Sequence, residues 1–386
     1  MKRVIAALLI FLLCLPAYAE DEVHRIGVIV YNTADEEVLG FKEYLKGYIE
    51  ENFEMVQFVY SYSINSEEQA TSFIQTACDQ GVEGFLSFVT YDLPNEVALC
   101  QQNGAYYLLA SGTVSAEDFE AVVNNPCFLG VFGPGQPFEF QAGADIARYF
   151  IREKAGTRFF VLSGGAALGN EMHYQRTLGI LDTLASAYGA SFPETREAIA
   201  RTTEPLTVKT DRVSVTVCPG YLRQDDVLNT TREVFEAGSY DVVLSVLPPL
   251  DAVDFIGKTP LGVVDSYNTR NLQLVTEGLL KVVVGKYSSI VGPAFALMLN
   301  VVTGYAEDFR ENGKAVQVIQ GFWTSENAED YNEKYALSTS AAMNAYNFED
   351  LSRVIRIYNP DADLNALCAL AEACSYRAVQ ARRAAM

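Results

Sequence analysis

Histidine is nearly absent from this chain, which has two, His24 and His173, among 386 residues. The sequence also lacks the HExxH, CxxC and GxSxG motifs, which are signatures of zinc peptidases, thiol oxidoreductases and serine hydrolases. These absences argue against an enzyme, a metal site and a bound cofactor, and we expect none of the three. A close pair of carboxylates in a cleft is the one arrangement by which this sequence could perform acid–base catalysis.

Basic residues are scarce as well. The chain has 28 Lys and Arg against 49 Asp and Glu, which gives a net charge of −21 at pH 7. Nucleic acid and anionic membrane surfaces attract the opposite charge, so neither is an expected partner. The acidic residues are spread along the chain, which is typical of a soluble secreted protein, and we expect a monomer.

Long apolar runs are missing except at the N-terminus. Lys2 and Arg3 precede an apolar run at positions 4–15, and the small-residue site Ala17-Tyr18-Ala19 follows. This order predicts a cleaved secretory signal peptide over residues 1–19. The later apolar run at 295–302 is too short to span a bilayer and is expected to be part of a packed helix.

Cysteine is present in a number that suggests disulfides. Six remain once Cys14 is removed with the signal peptide: Cys78, Cys100, Cys127, Cys218, Cys368 and Cys374. An even number in an oxidising compartment predicts disulfide bonds, and the sequence leaves their connectivity open. Cys78 and Cys100 lie near the ends of two predicted neighbouring helices and could pair, whereas Cys368 and Cys374 are too far apart to bond within one straight helix.

Short apolar runs alternate with amphipathic stretches along most of the chain. The first half predicts strands at 26–30, 56–62, 84–89, 106–110 and 127–132, separated by helices at 36–49, 67–78 and 95–102. The second half predicts strands at 157–162, 213–217, 241–247 and 261–264, with an insertion or a hairpin between 189 and 210. Such alternation is typical of α/β proteins with parallel sheets and right-handed crossovers. A chain of this length predicts two doubly wound lobes.

The segment 261–304 is the most informative. It begins with a buried strand at 261–264, and Asp265 follows at its carboxyl end, where an open α/β sheet binds its ligands. Leu272, Val275, Leu279 and Val283 then have helical spacing and predict a helix at 269–283. Gly285 and the polar residues 286–289 interrupt it, and a second helix is predicted from Ile290.

This order of strand, acid, helix, joint and helix resembles the hinge-proximal part of the type I periplasmic binding proteins, the solute receptors of ABC transporters. The resemblance extends over most of residues 25–335 and includes FQAGADIARYF at 140–150 and Arg176-Thr177-Leu178-Gly179-Ile180. It departs at Leu247-Pro248-Pro249, where sugar binders often place an Asn-Asp pair. The resemblance implies two lobes joined by a multi-strand hinge, with chain crossovers near 133–137 and near Lys286.

The resemblance divides the chain as follows: a signal peptide at 1–19, an N-terminal lobe of 25–134 plus 287–315, a C-terminal lobe of 135–286 plus 316–336, and a helical C-terminal extension at 337–386. Within the extension, helices are predicted at 347–358 and 363–383, separated by Asn359-Pro360.

Ligand contacts are expected at the strand ends, where polar and aromatic side chains recur. Asp265 is the first candidate, although aspartate is also favoured as a simple helix cap. His173, Tyr174 and Arg176 are candidates on the helix that follows a glycine-rich turn at 163–170. The predicted ligand-binding residues are Tyr31, Asn32, Tyr91, Ser111, Thr113, Tyr174, Tyr221, Asp265 and Tyr267.

The resemblance implies a periplasmic solute-binding protein that captures a small polar ligand, a sugar or nucleoside-like solute, and delivers it to an ABC transporter permease. One alternative is a periplasmic sensor that presents its bound state to a membrane receptor or kinase. The other is a secreted hydrolase on the same scaffold.

Overall fold

The computed structural model describes residues 23–249, 251–339 and 345–385, so the predicted signal peptide lies outside the described residues. The strands are β1 (His24–Val30), β2 (Val56–Ser63), β3 (Gly84–Ser87), β4 (Tyr106–Leu109), β5 (Phe128–Gly133), β6 (Arg158–Gly164), β7 (Leu206–Lys209), β8 (Ser214–Pro219), β9 (Val242–Ser245), β10 (Leu261–Ser266), β11 (Leu280–Lys286), β12 (Val316–Ile319) and β13 (Trp323–Ser325).

The α-helices follow the strands in the alternation expected of an α/β protein. They are α1 (Glu36–Lys42), α2 (Glu67–Asp79), α3 (Leu93–Gln102), α4 (Ala116–Val122), α5 (Gly135–Arg152), α6 (Glu171–Tyr188), α7 (Arg196–Ala200), α8 (Asp225–Ala237), α9 (Ala252–Ile256), α10 (Thr269–Thr276), α11 (Gly292–Asn300), α12 (Ala328–Thr339), α13 (Phe348–Ser352), α14 (Leu364–Glu372) and α15 (Tyr376–Ala384). Helix α1 continues through the π-helical turn Glu43–Ile49 and the short helix Glu50–Asn52.

The strands form two sheets, and each sheet with its helices is one lobe. The sheet of the N-terminal lobe has the order β12-β5-β4-β3-β1-β2, and all of its pairs are parallel. The sheet of the C-terminal lobe has the order β13-β11-β10-β9-β6-β8-β7, with antiparallel pairing of β7 and β13 at its two edges. The predicted fold class, α/β with two doubly wound lobes, is therefore confirmed.

Burial on both faces explains the apolar strands. Every residue of β9 and β10 is buried, because helices cover both faces of a doubly wound sheet. Helices α5 and α6 form the closest helix pair of the C-terminal lobe. A Cβ on Gly143 of α5 would overlap the Arg176 carbonyl of α6, and a Cβ on Gly179 would overlap the Phe140 carbonyl. The two glycines therefore permit a close backbone approach.

Three chain crossovers join the lobes and form the hinge. The chain passes from β5 to α5 at 133–135, from β11 to the 3-10 helix Ser288–Val291 and α11 at 286–288, and from β12 to β13 at 319–323. Helix α11 packs under β3, β4 and β5 of the N-terminal lobe. Ser288–Phe309 is one helical stretch long and apolar enough to cross a membrane, and 72% of its most apolar window is buried inside the fold.

Several sequence predictions are corrected. The helix predicted at 269–283 ends at Thr276, and Leu280–Lys286 is the strand β11. Gly278 lies between them with φ 75°, a left-handed conformation that ends a helix. The β-branched run at 282–284 then pairs with β10 and β13. Strand β12 lies in the N-terminal sheet, whereas the predicted division assigned residues 316–336 to the C-terminal lobe.

The C-terminal extension also differs in detail. The helix predicted at 347–358 is limited to α13, and the one predicted at 363–383 is two helices, α14 and α15, separated by 373–375. The sequence left open an insertion or a hairpin between residues 189 and 210, and the structure has an antiparallel pair, β7 with β8. His24 is the first residue of β1. The six cysteines of the described chain are free, including Cys78 and Cys100.

Candidate ligand-binding site

Three side chains of the N-terminal lobe meet just beyond the carboxyl end of β1. Asp35 is the N-cap of α1, and its Oδ1 accepts hydrogen bonds from the Glu37 backbone N–H at 3.0 Å and from the Tyr31 hydroxyl at 3.0 Å. Capping by aspartate is ordinary helix chemistry. Here the cap also holds the Tyr31 phenol and the carboxylates of Asp35 and Glu37 close together, just beyond the carboxyl end of the strand.

Asp265 lies at the carboxyl end of β10 and is 6% exposed. Its Oδ2 accepts a hydrogen bond from Asn271 Nδ2 at 2.7 Å, and the same amide donates to the Ser266 carbonyl at 2.9 Å. Asn268 caps α10 and lies 3.5 Å from the same oxygen. Neutral amides therefore orient the Asp265 carboxylate, and they leave its charge uncompensated.

Two ion pairs join the N-terminal turn to the C-terminal lobe. Lys286 Nζ, at the end of β11, lies 3.2 Å from Glu37 Oε1 and 3.5 Å from the carbonyl of Ser111. Arg223, in the loop after β8, places Nη2 3.7 Å from Asp35 Oδ2. Because Glu37 and Asp35 belong to one lobe and their partners to the other, the two lobes are closed on one another in this structure.

A buried ion pair lies at the start of the C-terminal lobe. Arg176 Nε is 2.5 Å from Glu139 Oε2, and Arg176 Nη1 donates to the Val246 carbonyl at 2.9 Å. Glu139 is fully buried and Arg176 is 6% exposed. The Thr113 hydroxyl of the N-terminal lobe donates to Glu139 Oε1 at 3.5 Å. A buried pair of this kind fixes geometry more than it adds stability, and here it links α5, α6 and Thr113.

Burial shifts the protonation of this cluster. It raises the pKa of Asp265 to about 7, and the negative charges of Asp35 and Glu37 add to the effect. Burial also raises the pKa of Glu37 against the lowering effect of Lys286. The pKa of His173 is instead lowered, to about 3, because the ring is buried and lies near the positive charges of Arg176 and Lys286. It is therefore a neutral ring, and its Nδ1 accepts a hydrogen bond from the Gly165 N–H at 3.0 Å.

The structure brings together four of the predicted site residues. Tyr31, Ser111, Thr113 and Asp265 belong to the cluster through the contacts described above. Tyr91 of the N-terminal lobe donates its hydroxyl hydrogen to the Ile64 carbonyl at 2.7 Å. The Tyr221 hydroxyl accepts a hydrogen bond from Asn170 Nδ2 at 3.2 Å.

The other three predicted residues have local partners. Asn32 Oδ1 accepts from the Ala34 N–H at 3.0 Å within its own turn. Tyr174 lies under the Arg201 guanidinium, 3.8 Å from its ring centroid. Tyr267 is 5% exposed, its hydroxyl is 2.8 Å from Ser325 Oγ, and its ring stacks on Tyr331 with centroids 4.9 Å apart. Tyr174 and Tyr267 therefore contribute to packing away from the charged cluster.

No protein-family model and no curated protein sequence matches the chain. Solved structures do match. The arabinose-binding periplasmic component from Shewanella sp. ANA-3, with bound L-arabinofuranose, is similar at a TM-score of 0.59 and 13% identity, over 81% of this chain and 94% of that one. A solute-binding protein from Bacillus halodurans with bound myo-inositol has a TM-score of 0.58 and 16% identity, over 82% of this chain and 99% of that one.

A third neighbour, from Actinobacillus succinogenes with bound D-allose, has a TM-score of 0.57 and 12% identity, over 80% of this chain and 99% of that one. All three are described as solute-binding components of ABC transporters. The chain therefore has the type I periplasmic binding protein fold. At these identities the likeness concerns the fold, and the resemblance stated from the sequence is confirmed at that level.

Within this type I fold, four charged residues of the cluster were missed as site residues from the sequence: Asp35, Glu37, Glu139 and Arg223. Acids in the first turn of a helix are common for electrostatic reasons alone, so Asp35 and Glu37 carried no distinctive signal. Lys286 was predicted to lie at a chain crossover. Because residues 269–283 were predicted to be helical, the strand that ends at Lys286 was not recognised. A signal did exist for Arg176, which was a weak candidate on the correct helix.

Proposed function

We propose that this protein is a periplasmic solute-binding protein that captures a small polar ligand between its lobes and delivers it to an ABC transporter. The observation that carries the proposal is the convergence of Asp35 and Glu37 from one sheet with Asp265, Lys286 and Arg223 from the other. Charged groups that face each other from the carboxyl ends of two parallel sheets mark the usual location of a ligand in this architecture.

The ligand class follows from the chemistry of these charged groups. Carboxylates accept hydrogen bonds from hydroxyl groups, and Lys and Arg donate to hydroxyl and ring oxygens. Tyr31, Tyr91 and Tyr221 supply aromatic faces for the less polar side of such a molecule. We therefore propose a polyhydroxylated solute, a sugar or a nucleoside. The neighbours that hold arabinofuranose, myo-inositol and allose support this class.

The binding step follows from the ion pairs between the lobes. A solute that enters must separate Glu37 from Lys286 and Asp35 from Arg223, and its hydroxyl groups then bond to the four charged groups. Closure around the solute is favoured by its contacts with both lobes at once. Transfer of the solute requires the lobes to open at the membrane, where the permease would take it. Catalysis forms no part of this proposal.

The test is a thermal-shift screen with pentoses, hexoses, inositols and nucleosides. At a solute concentration of 100 times the dissociation constant, binding stabilises the folded protein by about 2.7 kcal/mol. This corresponds to a rise in melting temperature of about 3–4 °C for a chain of this length that unfolds as one unit. We expect Asp265→Ala to keep the fold and to lose this rise.

Asp254→Ala is the matched control, because Asp254 is an exposed aspartate on α9 of the same lobe. It should keep the full rise. If no solute of the screen stabilises the wild type, the proposed ligand class is wrong. If Asp265→Ala responds as the wild type does, Asp265 is not a ligand contact.

A further inference from the structure

The C-terminal extension, residues 345–385 of the described chain, is anchored on the N-terminal lobe. Tyr44 donates its hydroxyl hydrogen to the Tyr346 carbonyl at 2.6 Å. Asn300 of α11 donates to the Val354 carbonyl at 2.8 Å and accepts from the Arg356 N–H at 2.7 Å. Helix α14 packs on α11 and β12. These buried contacts make the extension move with the N-terminal lobe.

The extension then passes over two of the three crossovers at Cys374. The Cys374 carbonyl accepts hydrogen bonds from Trp323 Nε1 at 2.8 Å and from the Tyr287 hydroxyl at 3.0 Å. Its Sγ accepts from the Gly321 N–H at 3.2 Å. Tyr287 and Trp323 stack with ring centroids 3.9 Å apart, and both are almost fully buried. One residue of the extension is thus bonded to the 286–288 and 319–323 crossovers together.

Beyond the hinge, α15 contacts the C-terminal lobe. The Tyr376 ring meets Trp323 edge-on at 5.3 Å, and Lys334 Nζ of α12 lies 5.1 Å from the centre of the same ring. Gln380 Nε2 donates to Glu333 Oε1 at 3.0 Å. Helix α12 packs on α10 and β13, so these contacts connect the extension to the lobe opposite its anchor.

Helix α15 is also fixed to the anchored part of the extension. Fully buried Asp350 of α13 lies 3.3 Å from Arg382 Nε and pairs with Arg383. Arg382 donates to the Ala345 carbonyl at 2.7 Å and to the Ala373 carbonyl at 3.1 Å. A buried ion pair fixes relative position, so α15 stays with the anchored part of the extension when the C-terminal lobe moves.

We propose that the C-terminal extension is a strap across the hinge that holds the two lobes closed and thereby sets the affinity of the cleft for its solute. The inference rests on the proposed function, since it requires lobes that open and close. Opening rotates one lobe against the other at the crossovers. The strap then loses the α15 contacts with Trp323, Glu333 and Lys334. Because apparent affinity scales with the closed fraction, the same contacts strengthen solute binding.

The first experiment compares Tyr376→Ala with Tyr358→Ala by small-angle X-ray scattering of the full-length protein without solute. Tyr358 is the matched control, since it belongs to the extension but packs on Phe53 and Phe348 on the N-terminal side. Loss of an edge-on aromatic pair and a cation–π contact should raise the ratio of open to closed molecules about fivefold to tenfold. We expect a larger radius of gyration for Tyr376→Ala alone.

The second experiment uses exposed Gln380, where substitution leaves the core intact. Gln380→Glu puts a like charge opposite Glu333 and should favour opening, whereas Gln380→Lys adds an opposite charge and should favour closure, each by about twofold. Trp323 is the one tryptophan of the chain, so acrylamide quenching of its fluorescence reports on the strap contact and should be faster in Gln380→Glu than in Gln380→Lys. The two Gln380 variants test the proposal even if Tyr376→Ala fails to fold.

Equal radii of gyration for Tyr376→Ala and Tyr358→Ala would overturn the strap, as would equal quenching in the two Gln380 variants. Neither measurement needs a solute. A failure of the proposed function would instead be seen as a wild type that no solute of the screen stabilises, with the scattering difference still present.

Discussion

Replacing Asp265 with asparagine should change the way in which stability depends on pH. The pKa of the folded-state carboxyl is raised from 3.8 to about 7 by burial beside Asp35 and Glu37. Between these values the folded protein holds a proton that the unfolded chain has released, so the free energy of unfolding falls as pH rises through this window. The stability contributed by the bound proton is complete below about pH 4 and is lost above about pH 7.

The magnitude follows from the size of the shift. At about 1.4 kcal/mol for each pKa unit, the ionisation of Asp265 costs up to about 4 kcal/mol of stability at pH 8. Asparagine has no such ionisation and can still accept the hydrogen bond from Asn271. The free energy of unfolding of Asp265→Asn minus that of the wild type should therefore rise by up to about 4 kcal/mol between pH 4 and pH 8.

The assay is urea denaturation of both proteins at half-unit steps of pH, followed by far-UV circular dichroism. Other titrating groups contribute to both proteins and largely cancel in the difference. Asp254→Asn is the control for loss of one carboxylate on the same lobe. A difference for Asp265→Asn that stays flat or falls between pH 4 and pH 8 would refute the buried, uncompensated charge on which this reasoning depends.

The remaining predictions concern a buried ion pair and helix packing. Arg176→Met leaves Glu139 buried without its partner and should reduce the free energy of unfolding by about 3–5 kcal/mol, as measured by urea titration. A loss below about 1 kcal/mol would contradict an ion pair that is shielded from water. Gly143→Ala forces a methyl group against the Arg176 carbonyl and should cost about 1–3 kcal/mol. Gly47→Ala, with open space around its Cβ position, should be neutral or stabilising by up to about 1 kcal/mol, and equal effects of the two alanines would contradict the close helix approach.

The lobes could be predicted from the sequence because a strand covered on both faces is apolar throughout. The runs at 26–30 and 261–264 have this character, and each is a central strand of its sheet. The segment 280–286 could not be assigned in the same way, because Leu279 and Val283 continue a helical spacing as well as a strand. Gly278 ends the preceding helix, and pairing with β10 and β13 then decides in favour of a strand.

The candidate site could be predicted in part for a related reason. Tyr31 follows a buried strand and Asp265 lies near the end of another, and position along the chain was enough to name both as candidates. Asp35 and Arg223 belong to different lobes and form an ion pair at 3.7 Å, and no local sequence pattern records which residue of one lobe will face which residue of the other. Tyr267 also follows a strand, but its ring packs on Trp323 and Tyr331, which are distant in the sequence.

The most direct test of the whole account is a crystal structure of the protein with the solute that gives the largest thermal shift. We expect that solute to lie between the lobes, in contact with Asp35 or Glu37 on one side and with Asp265 or Lys286 on the other. A solute bound on the outer surface of a single lobe, with the Glu37–Lys286 pair intact, would contradict the account.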